Sequence, residues 1–434
     1  MSLLTLLTGD MRIKAVVFTL GLFISLLTFG QEEKARRVTE VLCSDSLYGR
    51  GYVNNGVNKA ADFLKDEFEK AGLQPYFDNA SYFQTFEFDV NTFPGIVELR
   101  VDDKILQPGV DFLVDEVSGS FDGELNLIEV DTNVLSKLYL LDPMVEKVRT
   151  GEKNGFFIDL SGMTPQAAYG AVYQFNSLAI LGAVVYVTDQ KFTWSVGRKQ
   201  LKYPILHVKK GEIDPKSTLN VKIDAEMVKN FQSKNVVGYL PAKKKKAETI
   251  IFTAHYDHLG GMGTEPQTYF PGANDNASGT AMLISMADHF VANPSEYNIV
   301  FIAFAGEEAG LVGSEYFVKS KTINFSKIKF LLNLDIMGSG EEGITVVNGR
   351  IHEKSFDQLK AINDDKKYLA QVKSRGETAN SDHYHFHVKG VPSFFIYTMG
   401  PNKNYHDVYD TYEELSFSAY NNIVKLLVEF VEQL

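Results

Sequence analysis

The hydrophobic pattern changes period along the chain. In NKAADFLKDEFEKAGL, Ala61, Leu64, Phe68 and Ala71 recur three or four positions apart, the spacing of one helix face. Residues 31–75 are therefore expected to be helical, with Gly72 as a C-cap. From Tyr82 the period drops to two: in SYFQTFEFDV, Phe86, Phe88 and Val90 alternate with polar residues, as in a half-buried strand. Between about 95 and 235 come short strand-like runs, GIVELRV, GELNLIEV, GFFIDL, GAVVYVTD and LNVKIDA, broken by Gly, Asp and Asn. One helical stretch, TPQAAYGAVYQFNSLAILG, sits among them, and the whole predicts a mostly β domain. After 236, the long apolar strands NVVGYL, TIIFTAHYD, YNIVFIAFAG, IKFLLNLD and VPSFFIYT alternate with helices such as SGTAMLISMADHFVA, SEYFVKS and AYNNIVKLLVEFVEQL. Strands apolar on both faces belong to a sheet covered by helices on each side. The expected fold is α/β, a twisted sheet sandwiched by helices, with the β-rich domain inserted.

Composition narrows the classes. The 434 residues hold 43 Lys+Arg against 55 Asp+Glu, a formal charge of −12, which argues against a nucleic-acid binder because phosphate neutralisation needs clustered cations. The single cysteine, Cys43, excludes an intrachain disulfide framework and a Cys-based zinc site. The run Ala15 to Phe29 is apolar, preceded by Arg12 and Lys14 and followed by Gly30. It is too short for an ordinary membrane span and has the layout of a cleaved secretory leader, with Met11 as the plausible start. The division expected is 1–30 signal peptide, 31–94 N-terminal helical part of the main domain, 95–235 inserted domain and 236–434 main domain. A soluble, exported protein follows, secreted or periplasmic. Lys243–Lys246 reads as a solvated hairpin tip.

Candidate chemistry gathers at strand ends. His255 and Asp257 close TIIFTAHYD, Glu307 and Glu308 close YNIVFIAFAGEE, Asp335 closes IKFLLNLD, and His406 follows VPSFFIYT through a loop. In open α/β sheets ligands bind outside the carboxyl ends of the strands, and Asp275 joins from the loop PGANDNASG. Several carboxylates crowded together without a cation disfavour ionisation, and a divalent metal resolves that cost. His255, Asp275, Glu308, Asp335 and His406 supply two imidazoles and three carboxylates, a set that suits zinc. Two ions can share one carboxylate. Asp275 is the choice for the bridge, with His255 and Asp335 on one ion and Glu308 and His406 on the other. Asp257, two residues from His255, is placed to accept the second imidazole N–H. Of the adjacent Glu307 and Glu308, one can ligate while the other acts as general base; the residues alone leave that choice open.

The segments AHYDH (254–258), GANDNASG (272–279), GEEAGLVGS (306–314), NLDIMG (333–338), SDH (381–383) and YHDVYDT (405–411) resemble, in order, those of the co-catalytic zinc aminopeptidases of peptidase clan MH. Relatives of these enzymes include transferrin receptor and glutaminyl cyclase. SLYGRGY with the helix after it and SYFQTF also resemble these enzymes, and the β-rich middle is similar to a protease-associated domain. The resemblance implies a three-layer αβα fold, two Zn2+ per chain (other divalent metals being alternatives), and the five ligands above with Asp275 bridging. It makes Glu307 the base and Glu308 the ligand, and it gives the Tyr405 hydroxyl a role as oxyanion donor. Asp407 departs from it, standing where relatives often carry a small hydroxyl residue. The HYHFH run would put His383, His385 and His387 on one strand face, the arrangement of a separate metal site; the resemblance instead makes SDH a supporting segment. Asn276 and Ser278 are expected to shape the loop and start the next helix.

The function expected is an exported di-zinc aminopeptidase acting on peptides with a free N-terminus, with no nucleic-acid partner and no membrane once the leader is cleaved. The alternatives are a zinc carboxypeptidase or deacylase, a glutaminyl cyclase-like acyltransferase, and a non-catalytic receptor-like protein on the same scaffold. The position of the inserted domain ahead of AHYDH disfavours the first. The complete ligand set disfavours the other two.

Overall fold

The computed structural model describes residues 31–434 apart from 132, 133, 135, 136, 265 and 266; the expected leader, 1–30, lies outside the described residues. Residues 31–43 are helical, short 3-10 turns follow, and Gly56–Ala71 is an α-helix. Gly72 caps it at φ 92°, its N–H bonding to the carbonyls of Glu69 and Phe68, a left-handed cap that glycine adopts without Cβ strain. Leu64 and Phe68 are fully buried beneath it.

A nine-stranded sheet forms the centre. Its four middle strands, in spatial order Asn298–Phe304, Thr249–His255, Ile328–Leu334 and Ser393–Met399, are mutually parallel. Gly343–Val347 and Val372–Ser374 extend one side, and the antiparallel Glu226–Leu240 strand the other. Both faces are covered, as the unbroken apolar runs require. Ile250, Phe252, Phe301 and Leu332 pack with Met282 and Phe290 of the Gly279–Ala292 helix and Ile423, Leu427 and Phe430 of the Tyr420–Glu432 helix. On the other face Ile251, Val300, Ile302 and Leu331 meet Phe317 and Phe386. The sandwich expected from the sequence is the fold observed. Among the described residues no helix is long and apolar enough to cross a membrane.

Two long strands, Phe83–Thr92 and Glu226–Leu240, pair antiparallel with a bulge between Val228 and Phe231, and they carry the chain into and out of a second lobe. That lobe holds a four-stranded sheet, order Lys104–Leu106, Val97–Val101, Leu219–Ile223, Phe121–Leu125, and a five-stranded one, order Phe112–Val114, Ile205–Lys209, Ala183–Thr188, Gly155–Asp159, Leu127–Glu129. Helices Asp142–Arg149 and Pro165–Phe175 accompany them. The lobe's core includes Trp194 together with Leu259, Met262 and Phe270 from the chain after His255, so one apolar cluster joins the two halves.

One connection differs from expectation. Lys243–Lys246 is exposed but is no hairpin tip: the strands it joins, Glu226–Leu240 and Thr249–His255, are separated by Asn298–Phe304, which pairs with both. A strand arriving later in the sequence inserts between them, and local pattern carries no signal for that.

Candidate metal centre

Parallel strands bring their carboxyl ends to one edge, and that edge collects the candidate residues. His255 ends the Thr249–His255 strand in register with Phe304 of its neighbour, so Glu307 and Glu308 emerge just beyond. Asp335 follows the Ile328–Leu334 strand directly, and His406 lies in the loop after Ser393–Met399. Asp275 sits in the turn Ala273–Ser278 that leads into the Gly279–Ala292 helix. The Asn276 amide fixes this turn, accepting from the N–H groups of Gly279 and Ile336 at 3.0 and 3.1 Å and donating to the Leu334 carbonyl at 3.0 Å. Ser278 donates to the Asn274 carbonyl and accepts from the Met337 N–H, both at 2.8 Å. Both residues thus fasten the Asp275 turn to the Asp335 loop.

Asp275 divides its carboxylate between the two imidazoles. Oδ1 lies 3.2 Å from His255 Nε2 and Oδ2 lies 3.2 Å from His406 Nε2. His255 Nε2 is also 3.4 Å from Asp335 Oδ1, and His406 Nε2 is 3.2 Å from Glu308 Oε2. Among the described residues, two groups of donor atoms lie within 4.8 Å of one another: His255, Asp275 and Glu308, and His255, Glu307 and Asp335. A divalent cation fits this set. Asp335 Oδ1 is buried with no hydrogen-bond donor, while Ser381 holds Oδ2 at 2.9 Å. The donors are imidazole nitrogens and carboxylate oxygens, the types zinc accepts.

Comparison with known proteins agrees with the geometry. Residues 235–431 match the model of peptidase family M28. Over those residues the chain is similar to that family. Among curated relatives, Aminopeptidase YwaD of Bacillus subtilis (strain 168) is 26% identical over 362 residues, covering 78% of this chain and 74% of its own. A probable leucine aminopeptidase of Arthroderma benhamiae is 30% identical, over 48% of this chain and 60% of its own. Among solved structures, BSAP, a zinc aminopeptidase from Bacillus subtilis, superposes at TM-score 0.68 with 20% identity, over 92% of this chain and 94% of its own. An aminopeptidase from Aneurinibacillus sp. strain AM-1 gives 0.62 with 21% identity, over 92% and 93%. These two likenesses extend the shared fold across both lobes. The protein is a metallopeptidase, as the motif order implied.

Around this cluster of donor atoms, one expected contact is replaced. His255 Nδ1 meets the backbone carbonyl of Asp257 at 3.2 Å, and Asp257 Oδ1 stands farther off at 3.8 Å. The Asp257 carboxylate is occupied elsewhere: it accepts from the Tyr52 hydroxyl at 2.9 Å and from the N–H groups of Glu307 and Glu308 at 3.2 and 3.3 Å. It therefore sets the Glu307–Glu308 turn, while its main chain fixes the imidazole. Tyr405 lies flat on the His406 ring, centroids 3.8 Å apart, and is half exposed. HYHFH is a short helix, His383–His387, where residues two apart point to different sides. His383 is buried against Phe395 and His387 pairs with Glu377 at 3.1 Å, so the strand-face arrangement is overturned.

Sequence reasoning missed several supporting groups. Asp410 is fully buried, and its carboxylate accepts from the N–H of Asn274 (2.9 and 3.1 Å) and of Asp275 (3.0 Å). His258 Nδ1 holds Glu308 Oε1 at 2.8 Å. The buried Arg50 guanidinium donates to the carbonyls of Leu42, Tyr256, Pro271 and Gly272 at 2.6–2.8 Å. His258 was visible in AHYDH and Asp410 in YHDVYDT; their partners were not.

The charged groups of the site shift one another's proton affinity. Burial raises the Glu307 carboxyl well above its ordinary range; His255 opposes this, and Glu308, Asp382 and Asp335 add to it. For His406 burial works against the charged form, but Glu308 and Asp275 outweigh it and push the imidazole up to about 11. His255 is likewise raised against the effect of burial, by Glu307 and Asp335. Burial, then the fields of Asp275 and Glu308, keep the Tyr405 hydroxyl protonated.

Proposed function

We propose that this protein is an exported di-zinc aminopeptidase that removes N-terminal residues from peptides. The observation that carries the reading is the Asp275 carboxylate, one oxygen toward each imidazole at 3.2 Å, the arrangement a carboxylate shared by two cations needs. In this reading His255 and Asp335 would hold one zinc and Glu308 and His406 the other, with Asp275 available to both. Bound zinc supplies Lewis acidity and brings the pKa of water from about 15.7 towards about 7.

The chain's own residues supply the proton handling. Glu307, its N–H anchored on Asp257, carries a buried carboxyl of high proton affinity, suited to take a proton from the attacking water and return it to the departing amine. The Tyr405 hydroxyl, held protonated, is a donor for the developing oxyanion. The relatives named aminopeptidase support an exopeptidase. Export is supported by the leader-type run Ala15 to Phe29.

A panel of aminoacyl fluorogenic substrates, free and N-acetylated, assayed with and without a chelator, tests this reading. Cleavage of the free-amine series alone, abolished by the chelator, is expected. Equal cleavage of the acetylated series would assign the site to another hydrolase class.

A further inference from the structure

The loop that carries His406 is gripped by the second lobe. Lys191 Nζ donates to the carbonyls of Lys403 and Tyr405 at 2.6 and 2.8 Å and pairs with Asp407 Oδ2 at 2.8 Å. Three residues on, the Trp194 N–H donates to the His406 carbonyl at 2.9 Å, and the Trp194 carbonyl accepts from His406 Nδ1 at 2.8 Å. Asp407 is nearly buried, and its other oxygen accepts the Tyr409 N–H at 2.8 Å.

Two further features make this grip consequential. His406 has φ +58°, a left-handed conformation that a residue with a Cβ adopts only when its surroundings hold it. Trp194 is itself fixed: its indole N–H donates to the Val114 carbonyl at 2.7 Å, and its ring stacks on Phe270 at 4.7 Å. A backbone carbonyl bonded to Nδ1 selects the tautomer that leaves Nε2 free to ligate. Nε2 is the atom facing Asp275 and Glu308.

We infer that the second lobe is a structural part of the metal centre: the Lys191–Asp407 pair and the Trp194 main chain position His406, so that one zinc of the pair depends on a contact between lobes. Lys191 and Trp194 are positioning residues and touch no reacting atom. Asp407, the departure from the related motif, gives Lys191 its carboxylate. The inference rests on His406 being a zinc ligand.

The test uses the full chain stripped of metal and titrated with zinc against a chromophoric chelator, with emission from the sole tryptophan followed in parallel. Lys191→Met should weaken one of the two zinc sites by roughly tenfold, the lower end for a residue that orients a ligand. The other site should stay within about twofold of the wild type, and the Trp194 response should move to the same higher zinc concentration. Lys191→Arg, which keeps a cationic donor for the Asp407 carboxylate and the loop carbonyls, should hold the affinity that Lys191→Met loses. Unchanged affinities and emission in Lys191→Met would overturn the inference, as would an equal loss at both sites in Lys191→Met and Lys191→Arg alike. A wild-type chain that takes up no zinc would remove its premise. A chain that shows the clamp dependence yet leaves free-amine peptides intact would refute the aminopeptidase reading and keep the clamp.

Discussion

Glu307 and Glu308 are neighbours with opposite electrostatic fates. Burial raises Glu307, and Asp382 and Asp335 add to it. At Glu308 burial is outweighed by His406, with a further lowering from its bond to His258, and the carboxyl is pulled down to about 2. One is poised to carry a proton and the other to stay anionic. Glu307→Gln should therefore retain bound zinc while kcat falls by roughly 10²- to 10⁴-fold, the usual share of a general base; metal analysis beside steady-state kinetics checks both halves. The paired imidazoles give a second expectation. In the metal-free chain the surrounding carboxylates raise both against burial, which favours the protonated imidazole, whereas ligation requires the neutral one. Zinc added to stripped protein in weak buffer at neutral pH should release protons, and affinity should rise with pH across the neutral range. Zinc uptake with no proton release would mean that these histidines do not ligate. At this scale the strand-end candidates His255, Glu307, Glu308, Asp335 and His406 were legible in the strand patterns, and Asp275 only in its loop motif. The groups that hold them were not: Asp410 reaches back 135 positions to the Asp275 N–H, and Tyr52 reaches 205 positions to Asp257.

Among elements, periodicity read well where a segment packs one face on a single neighbour. The Gly56–Ala71 helix and the central strands follow their patterns, whereas the HYHFH alternation did not make a strand. Five residues fit either period, and Phe386 buried against Phe304 and Phe317 selects the helix. The strand order around Lys243–Lys246 was equally hidden, because the strand that separates its two neighbours, Asn298–Phe304, arrives later in the sequence. The pairing of the first two helices is testable. Glu67 is fully buried and receives Arg37 at 2.5 Å and Lys70 at 3.0 Å. Burial alone would raise its carboxyl, yet the hydrogen bonds from Arg37 and Lys70 prevail and hold it below the ordinary range. A folded-state value below the unfolded one means the contribution is complete above the ordinary carboxylate range and disappears as pH falls through the folded value. Glu67→Gln should lower Tm by a few degrees at neutral pH, with the gap closing as pH falls below the ordinary carboxylate range. A gap that persists in acid would assign the loss to packing.

Across the whole molecule, the two lobes share a core as well as the His406 loop: Trp194, Phe93 and Phe270 lie in one apolar cluster with strands from both. The sequence marked the second lobe as a change of grammar between the helical start and the α/β half. It carried no sign that a lobe residue would touch the metal-bearing loop, since Lys191 and Asp407 stand 216 positions apart in a chain with many of each residue type. In the proposed reading a metal pair would be supported by four sheet ends, one turn and one lobe, and its geometry is the claim on which the rest depends. Crystals of the protein soaked in zinc, with anomalous data collected on both sides of the zinc absorption edge, test it most directly. The account predicts two anomalous peaks flanking the Asp275 carboxylate, about 3.5–4 Å apart, one beside His255 and Asp335 and the other beside Glu308 and His406. A single peak, or peaks that leave Asp275 outside the coordination sphere, would contradict it.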